Sequence, residues 1–445
     1  MKKLYICSQC SYKTPKWLGK CLECGAWESF EELEESTKKR GRGSNSERKE
    51  ASSFSEVKST KDGRLMTTIG EFDRVLGGGL VVGSVVLISG KPGIGKSTLL
   101  LQVLDKYSKD FKVLYVAGEE SASQVKGRGD RVSIKGDNFF ILPEVNISFI
   151  GEYIKREKPK VVVIDSIQTL FSPDLGTIPG TVSQIREASL EIVKLAKEND
   201  ISFLVVGHIT KDGKIAGPKL LEHMVDAVLE FEGEEEAVYR MLRATKNRYG
   251  SVNEIGIFNM GESGIREVVN PSEYFLEGRG EAPGSVVVPI LEGNRVLLIE
   301  VQSLVSNALF GVPRRLSQGI DSTKIQILSA VIEKQSKVNL TEKDIFFNIP
   351  GGVSSKDTSL GLGIVFALIS SLKGVPIPKD VAVMGEVGLT GEVRKVPFAL
   401  KRAMELQKIG FKKIYAPEGN RKELSKAKIK IHYLEDISNL IQRIT

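Results

Sequence analysis

From about Thr67 onward the chain alternates between short apolar runs and segments whose apolar residues recur at helical spacing. Residues 85–89, 113–117, 161–165, 203–207 and 227–231 read as strands, and residues 97–107 and 181–197 as helices. The strand runs are apolar at successive positions, the pattern of strands covered on both faces. Strands alternating with helices imply βαβ units and a mostly parallel sheet. Residues 239–245 form a later strand, expected near the sheet edge.

Past Phe275 the texture changes. Residues 286–290 and 295–301 pair as a hairpin around Glu292-Gly293-Asn294, and helical patterns follow at 322–333, 360–372 and 398–409. Ile325, Leu328 and Ile332 share one helical face. The expected fold class is α/β, with a cysteine module at residues 1–30, a linker at 31–66, a strand–helix core at 67–275 and an α+β domain at 276–445. Residues 36–64 hold seven serines, and nine Lys/Arg against four Asp/Glu, with almost no apolar side chains. Such a stretch cannot bury a core.

Composition removes some classes of protein. The longest nearly unbroken apolar stretch, residues 360–372, spans 13 positions, short of the roughly 20 a membrane helix needs. Lys2 and Lys3 have no apolar segment behind them, unlike a secretory signal. Sixty-three Lys+Arg against 56 Asp+Glu give a net charge of +7, which permits a polyanionic partner without demonstrating one. All four cysteines fall within the first 24 residues, which reads as a metal site in a reducing compartment and places the protein in the cytoplasm.

Those cysteines form two knuckles, Cys7-x2-Cys10 and Cys21-x2-Cys24, with Gly25 just after the second. Four thiolates can close a tetrahedral Zn²⁺ site with no open position, which implies structure rather than catalysis. A module of this size depends on the metal to fold. Trp17 and Trp27 are read as packing residues around the knuckles.

Gly90-Lys91-Pro92-Gly93-Ile94-Gly95-Lys96-Ser97 matches GxxxxGK[ST] between a strand and a helix, the context of a P-loop. Its backbone N–H groups, with Thr98 opening the helix, would bind ATP; Lys96 reaches the β/γ phosphates and Ser97 takes Mg²⁺. Asp165 ends an apolar strand in the Walker B manner and would share Mg²⁺. Glu119, with Glu120 as the alternative, follows strand 113–117 and can polarise the attacking water. His208 ends strand 203–207, as a γ-phosphate sensor or as an ordinary hydrogen-bonded histidine.

Leu76-Gly77-Gly78-Gly79-Leu80 and Gly118-Glu119-Glu120-Ser121 resemble the RecA-type ATPase core. Lys246-Asn247-Arg248-Tyr249-Gly250 resembles the KNRFG motif of the bacterial RadA (Sms) DNA-repair family, with Tyr in place of Phe. The four-cysteine start and the C-terminal third resemble that family too. The resemblance implies a DNA-dependent ATPase that processes recombination intermediates. It further implies a hexameric ring that stimulates branch migration in strand exchange by the RecA recombinase, on single-stranded and branched DNA. Lys246 and Arg248 alternate along an extended segment and so face the same way, as fingers for a neighbouring subunit's γ-phosphate. In RecA-like folds the loops at residues 172–180 and 210–219 face the ring centre; the second carries Lys211, Lys214 and Lys219, suited to tracking phosphates. Lys126, Arg128 and Arg131 read as a solvated basic face.

From about residue 276 the chain resembles the proteolytic domain of Lon, which uses a serine activated by a lysine base. Counting back from Ala367 puts Ser359 at the nucleophile position. Counting forward from Gly391 puts Leu400 at the lysine position, with Lys401 one residue late. One residue on a helix turns a side chain by about 100°, so the domain is expected to be proteolytically inactive, an oligomerisation and DNA-binding scaffold. The competing readings are an ATP-dependent Ser–Lys protease and a KaiC-like nucleotide switch.

Overall fold

The computed structural model describes residues 4–7, 12–22, 25, 27–33, 53, 63–208, 220–233, 239–308, 313–336, 338–438 and 440. Two compact units divide the chain: residues 1–233 with 240–267, and residues 234–239 with 268–445. Among the described residues no helix is long and apolar enough to cross a membrane.

At the N-terminus the strands Leu4–Cys7, Lys13–Thr14 and Phe30–Leu33 make a three-stranded antiparallel sheet with Leu4–Cys7 in the middle. Among the described residues its core is Cys7, Cys21 and Phe30, with Tyr5, Tyr12 and Leu18 against them. Burying these side chains alone, at about 1.5–3 kcal/mol each, cannot hold a fold. Trp17 and Trp27, expected to pack around the knuckles, are 55% and 73% exposed, and Lys20 Nζ, beside Cys21 in sequence, lies 5.4 Å from the Trp27 ring centroid. The tyrosines, Leu18 and Phe30 take the packing role.

The rest of the first unit is built on a nine-stranded sheet. From one edge its strands run Gly264–Glu267, Ile255–Gly261, Tyr239–Asn247, Ala227–Glu232, Val85–Gly90, Ser202–His208, Val161–Asp165, Val113–Ala117 and Phe139–Leu142. The six from Ala227–Glu232 to Phe139–Leu142 are parallel. Val85–Gly90, Val113–Ala117 and Val161–Asp165 are buried along their whole length, between one apolar core around the helix Lys96–Ser108 and another around Val182–Asn199. Unbroken apolar runs thus produced doubly covered strands.

Tyr239–Asn247 lies third from one edge, because Ile255–Gly261 and Gly264–Glu267 add two strands outside it. That hairpin also explains why the first unit ends at Glu267 rather than at 275. The Glu267 carboxylate accepts from the Glu71 N–H at 2.9 Å, fastening the last strand to the first helix of this unit. The next segment, Pro271–Phe275, belongs to the second unit, where Ser272 Oγ donates to Glu405 at 2.9 Å and accepts from the Leu298 N–H at 3.3 Å.

The second unit carries a seven-stranded sheet ordered Arg315–Gln318, Lys343–Asn348, Arg295–Asn307, Ser285–Glu292, Val381–Val383, Lys413–Pro417 and Lys430–Leu434. Ser285–Glu292 and Arg295–Asn307 form the anticipated hairpin, closed by Gly293-Asn294 with Glu292 opposite Arg295. The helix Leu360–Lys373 is buried from Leu360 to Ser370, which accounts for its near-continuous apolar sequence.

Candidate nucleotide site

The Gly90–Ser97 loop leaves the strand Val85–Gly90 and enters the helix Lys96–Ser108 through Gly95, whose φ of 109° lies in the left-handed region. A side chain at Gly95 would also stand 2.5 Å from the Met260 methyl, so this turn needs glycine twice over. Lys96 is 4% exposed, and its Nζ donates to the Gly90 and Lys91 carbonyls at 2.8 and 2.9 Å. Burial draws this amine below the ordinary lysine range, against the opposing pull of Asp165 and Glu119.

Asp165 ends the strand Val161–Asp165 and is 8% exposed. Its carboxylate accepts from the hydroxyl of Tyr115, on the neighbouring strand Val113–Ala117. Tyr115 therefore holds the carboxylate that is expected to share Mg²⁺ with Ser97. Tyr115 was not foreseen: inside an apolar run its ring reads as core, and only its hydroxyl reaches the site.

Glu119 and Glu120 differ in what holds them. Glu119 Oε1 accepts from Ser166 Oγ at 2.5 Å and lies 3.0 Å from His208 Nε2. Burial opposes its ionisation, yet Ser166, His208 and Lys96 outweigh burial and keep its carboxyl below the usual glutamate range. Glu120 is instead ion-paired with Arg128. Arg128 therefore departs from the solvated face expected of it, while Lys126 and Arg131 are exposed. Gly118, between strand and glutamates, has no room for a side chain: a Cβ would fall 2.0 Å from Thr169 Oγ1. Lys96, Ser97, Tyr115, Glu119, Asp165, Ser166 and His208 thus meet at the C-terminal ends of four adjacent parallel strands, where ligands bind in open α/β sheets.

The Lys246–Gly250 segment is also ordered by its own unit. Lys246 Nζ donates to the carbonyls of Glu222 at 2.5 Å, Val225 at 2.8 Å and His223 at 3.4 Å, closing the end of the helix Leu220–Met224. Burial, then Arg248, holds its amine below the ordinary lysine range. Arg248 NH1 pairs with Asp226 at 3.1 Å, so both cations reach one short turn, as their alternation predicts. Gly250 packs on Gly77, whose added Cβ would stand 3.1 Å from the Gly250 Cα. Arg64 joins the two motifs, donating to the carbonyls of Leu76 at 3.3 Å, Gly79 at 3.2 Å and Tyr249 at 2.6 Å. Asn247 adds a bond to the Leu76 carbonyl at 3.3 Å.

The loop at residues 172–180 is braced by buried Gln184, which accepts from the Ser172 N–H at 2.7 Å and donates to the Thr177 carbonyl at 2.8 Å. Lys211, Lys214 and Lys219 lie outside the described residues. So do Cys10 and Cys24. Cys7 and Cys21 are each 1% exposed and share one core, and the Gly25 N–H closes a knuckle turn on the Cys21 carbonyl at 2.9 Å. Two buried sulfurs packed together in a module of about 30 residues fit a thiolate metal site.

In the second unit Ser359 opens the helix Leu360–Lys373 and is fully buried. Its Oγ donates to the Pro289 carbonyl at 3.3 Å and accepts from Arg402 NH1 at 3.1 Å. Arg402 also donates to Asp357 at 2.8 Å and to the Pro289 and Pro397 carbonyls at 2.5 and 3.0 Å. The cation beside the serine is therefore Arg402, which corrects the count that put Leu400 there. Lys401 turns outward to the Asn294 carbonyl. Burial works against the Asp357 charge, but Arg402 holds its carboxyl below the usual aspartate range. A guanidinium does not release a proton and cannot serve as a base.

Three family models match in chain order: a rubredoxin metal-binding domain (a zinc ribbon) at residues 5–32, KaiC at 65–139, and the C-terminal proteolytic domain of Lon protease (S16) at 292–444. Fold and site together define a RecA/KaiC-like P-loop ATPase with a zinc ribbon ahead of it and a Lon-type unit behind. The DNA repair protein RadA of Bacillus subtilis is 46% identical over 428 residues, covering 94% of this chain and 93% of that protein. That of Aquifex aeolicus is 44% identical over 421 residues, covering 94% of each. The chain belongs to the RadA family. A solved KaiC-like protein from Pyrococcus horikoshii aligns with 46% of this chain and 99% of its own at 22% identity, with a TM-score of 0.39.

Proposed function

We propose that this protein is a DNA-dependent ATPase of DNA repair, a ring-forming motor that processes recombination intermediates. The observation that carries the proposal is Glu119, held by Ser166 and His208 beside Lys96 and Asp165, in a chain aligned with RadA over 94% of its length. A carboxylate fixed in that way can orient a water for attack on a terminal phosphate. The backbone of Gly90 to Thr98 and the Lys96 amine receive the phosphates of ATP. Lys96 exchanges its loop carbonyls for phosphate oxygens, a stronger charge-assisted bond. Ser97 and Asp165 are the residues that would hold Mg²⁺, which supplies charge neutralisation between the β and γ phosphates. Cys7, Cys10, Cys21 and Cys24 would hold Zn²⁺ as a structural cross-link.

On this reading Lys246 and Arg248 serve a neighbouring subunit's γ-phosphate within a hexameric ring, leaving their own carbonyls and Asp226 when nucleotide arrives. His208 reports the γ-phosphate from Glu119 to the loop that follows, where Lys211, Lys214 and Lys219 track single-stranded or branched DNA. The motor extends heteroduplex in strand exchange by RecA. The Lon-type unit is a proteolytically inactive scaffold, since Arg402 occupies the place a lysine base would need.

The test is ATP hydrolysis titrated with single-stranded DNA. Wild type should accelerate several-fold; Lys96→Ala should be inactive; Lys246→Ala should bind ATP normally and lose the DNA response. A wild-type rate indifferent to DNA would overturn the motor reading, and unchanged turnover in Lys246→Ala would remove the finger assignment.

A further inference from the structure

Tyr115 reaches the Asp165 carboxylate from the neighbouring strand. Its strand Val113–Ala117 pairs in parallel with Val161–Asp165, with Ala117 opposite Asp165. Side chains two apart on a strand share a face, so Tyr115 stands one step back from the strand end, within reach of the neighbouring strand's terminal carboxylate. Its hydroxyl donates to Asp165 Oδ2. The ring is 1% exposed and packed in the apolar core around the helix Lys96–Ser108. A buried, ring-locked donor aimed at a carboxylate restricts which way the carboxylate turns.

The contact has a reciprocal. Ser166 follows Asp165 and is fully buried; its Oγ donates to Glu119, just beyond the end of Tyr115's own strand. The Gly118 N–H donates to the Asp165 carbonyl at 2.8 Å between the two. Each strand therefore holds the other's carboxylate: Tyr115 holds Asp165, and Ser166 holds Glu119. The two carboxylates cannot swing independently, although they belong to strands about fifty positions apart in sequence.

We propose that Tyr115 is a positioning residue for the divalent-cation site, fixing the Asp165 carboxylate in the orientation that accepts Mg²⁺ with bound nucleotide. The inference rests on the reading that Ser97 and Asp165 take Mg²⁺. Removing an outer hydrogen bond to a metal ligand typically costs about 10–100-fold in metal affinity. Tyr115→Phe keeps the ring and its packing and removes only the hydroxyl.

The experiment is a Mg²⁺ titration of fluorescent ATP-analogue binding to the full-length protein, beginning in EDTA. Tyr115→Phe is expected to bind the analogue in EDTA as wild type does, melt within a few degrees of wild type, and need about ten-fold more Mg²⁺ for half its response. Tyr115→Leu, differing in volume but also lacking the hydroxyl, should show the same shift. A Mg²⁺ midpoint equal to wild type in either variant overturns the role of Tyr115 and leaves the Mg²⁺ assignment intact. A wild-type response that survives unchanged in Asp165→Asn overturns both.

Discussion

Two places in this chain are assembled from the same parts. Each sets a serine at the start of a helix, an aspartate near it and a buried cation alongside: Ser97, Asp165 and Lys96 in the first unit, Ser359, Asp357 and Arg402 in the second. They differ in how the cation's donors are used. Lys96 gives its protons to two carbonyls of a glycine-rich loop, partners that a phosphate can replace. Arg402 gives its own to Asp357, Ser359 and two proline carbonyls, all fixed inside the fold. A compact ammonium on a flexible stem can change partners, whereas a planar fork locked on four sites cannot. The first constellation is suited to chemistry and the second to holding a domain together.

The largest expected effect breaks the second constellation. Asp357→Ala leaves the Arg402 charge buried without its carboxylate and should cost about 3–5 kcal/mol in denaturant unfolding of the full-length protein. A loss near zero would mean Arg402 is not the strut described here. Lys96→Ala should lower ATP turnover by about 10²–10³-fold while leaving that unfolding transition in place. Between the glutamates, Glu119→Gln should cost about 10²-fold in turnover. Glu120→Gln should cost far less, because Arg128 already holds that carboxylate; equal losses would erase the distinction.

A smaller effect concerns pH. The Asp357 carboxyl lies below its ordinary 3.8 in the folded chain, so its contribution is full above that value and is lost as pH falls through the lowered one. Wild type should therefore lose stability on acidification below about pH 4, and Asp357→Asn should show a shallower loss there. Smallest of all, Lys401→Ala should change stability by less than about 0.5 kcal/mol.

Much of this was legible along the chain. The P-loop, the apolar strand ending in Asp165 and the paired cysteine knuckles are local patterns, each decided by neighbours in sequence. The contacts that complete the site are not local. Tyr115 meets Asp165 across two strands, and Arg64 reaches Tyr249 over 185 positions. Nothing beside them in sequence marks them. Arg402 is different, for its signal was present. Ala399, Arg402, Ala403 and Leu406 follow helical spacing and share the buried face, so the arginine sits on an otherwise apolar stripe. Counting to the lysine position without that stripe led to Leu400. The strands Ile255–Gly261 and Gly264–Glu267 were passed over because their glycines and polar residues weaken the apolar pattern, although their hairpin closes the first unit.

If ATP is hydrolysed in a cleft completed by the next subunit, as proposed, mixing two variants reveals it most directly. Lys96→Ala and Lys246→Ala, each inactive alone with ATP and single-stranded DNA, should regain turnover when combined, since one lends its fingers and the other its phosphate loop. A mixture as inactive as its two components would place Lys246 in its own subunit's service and contradict the shared cleft.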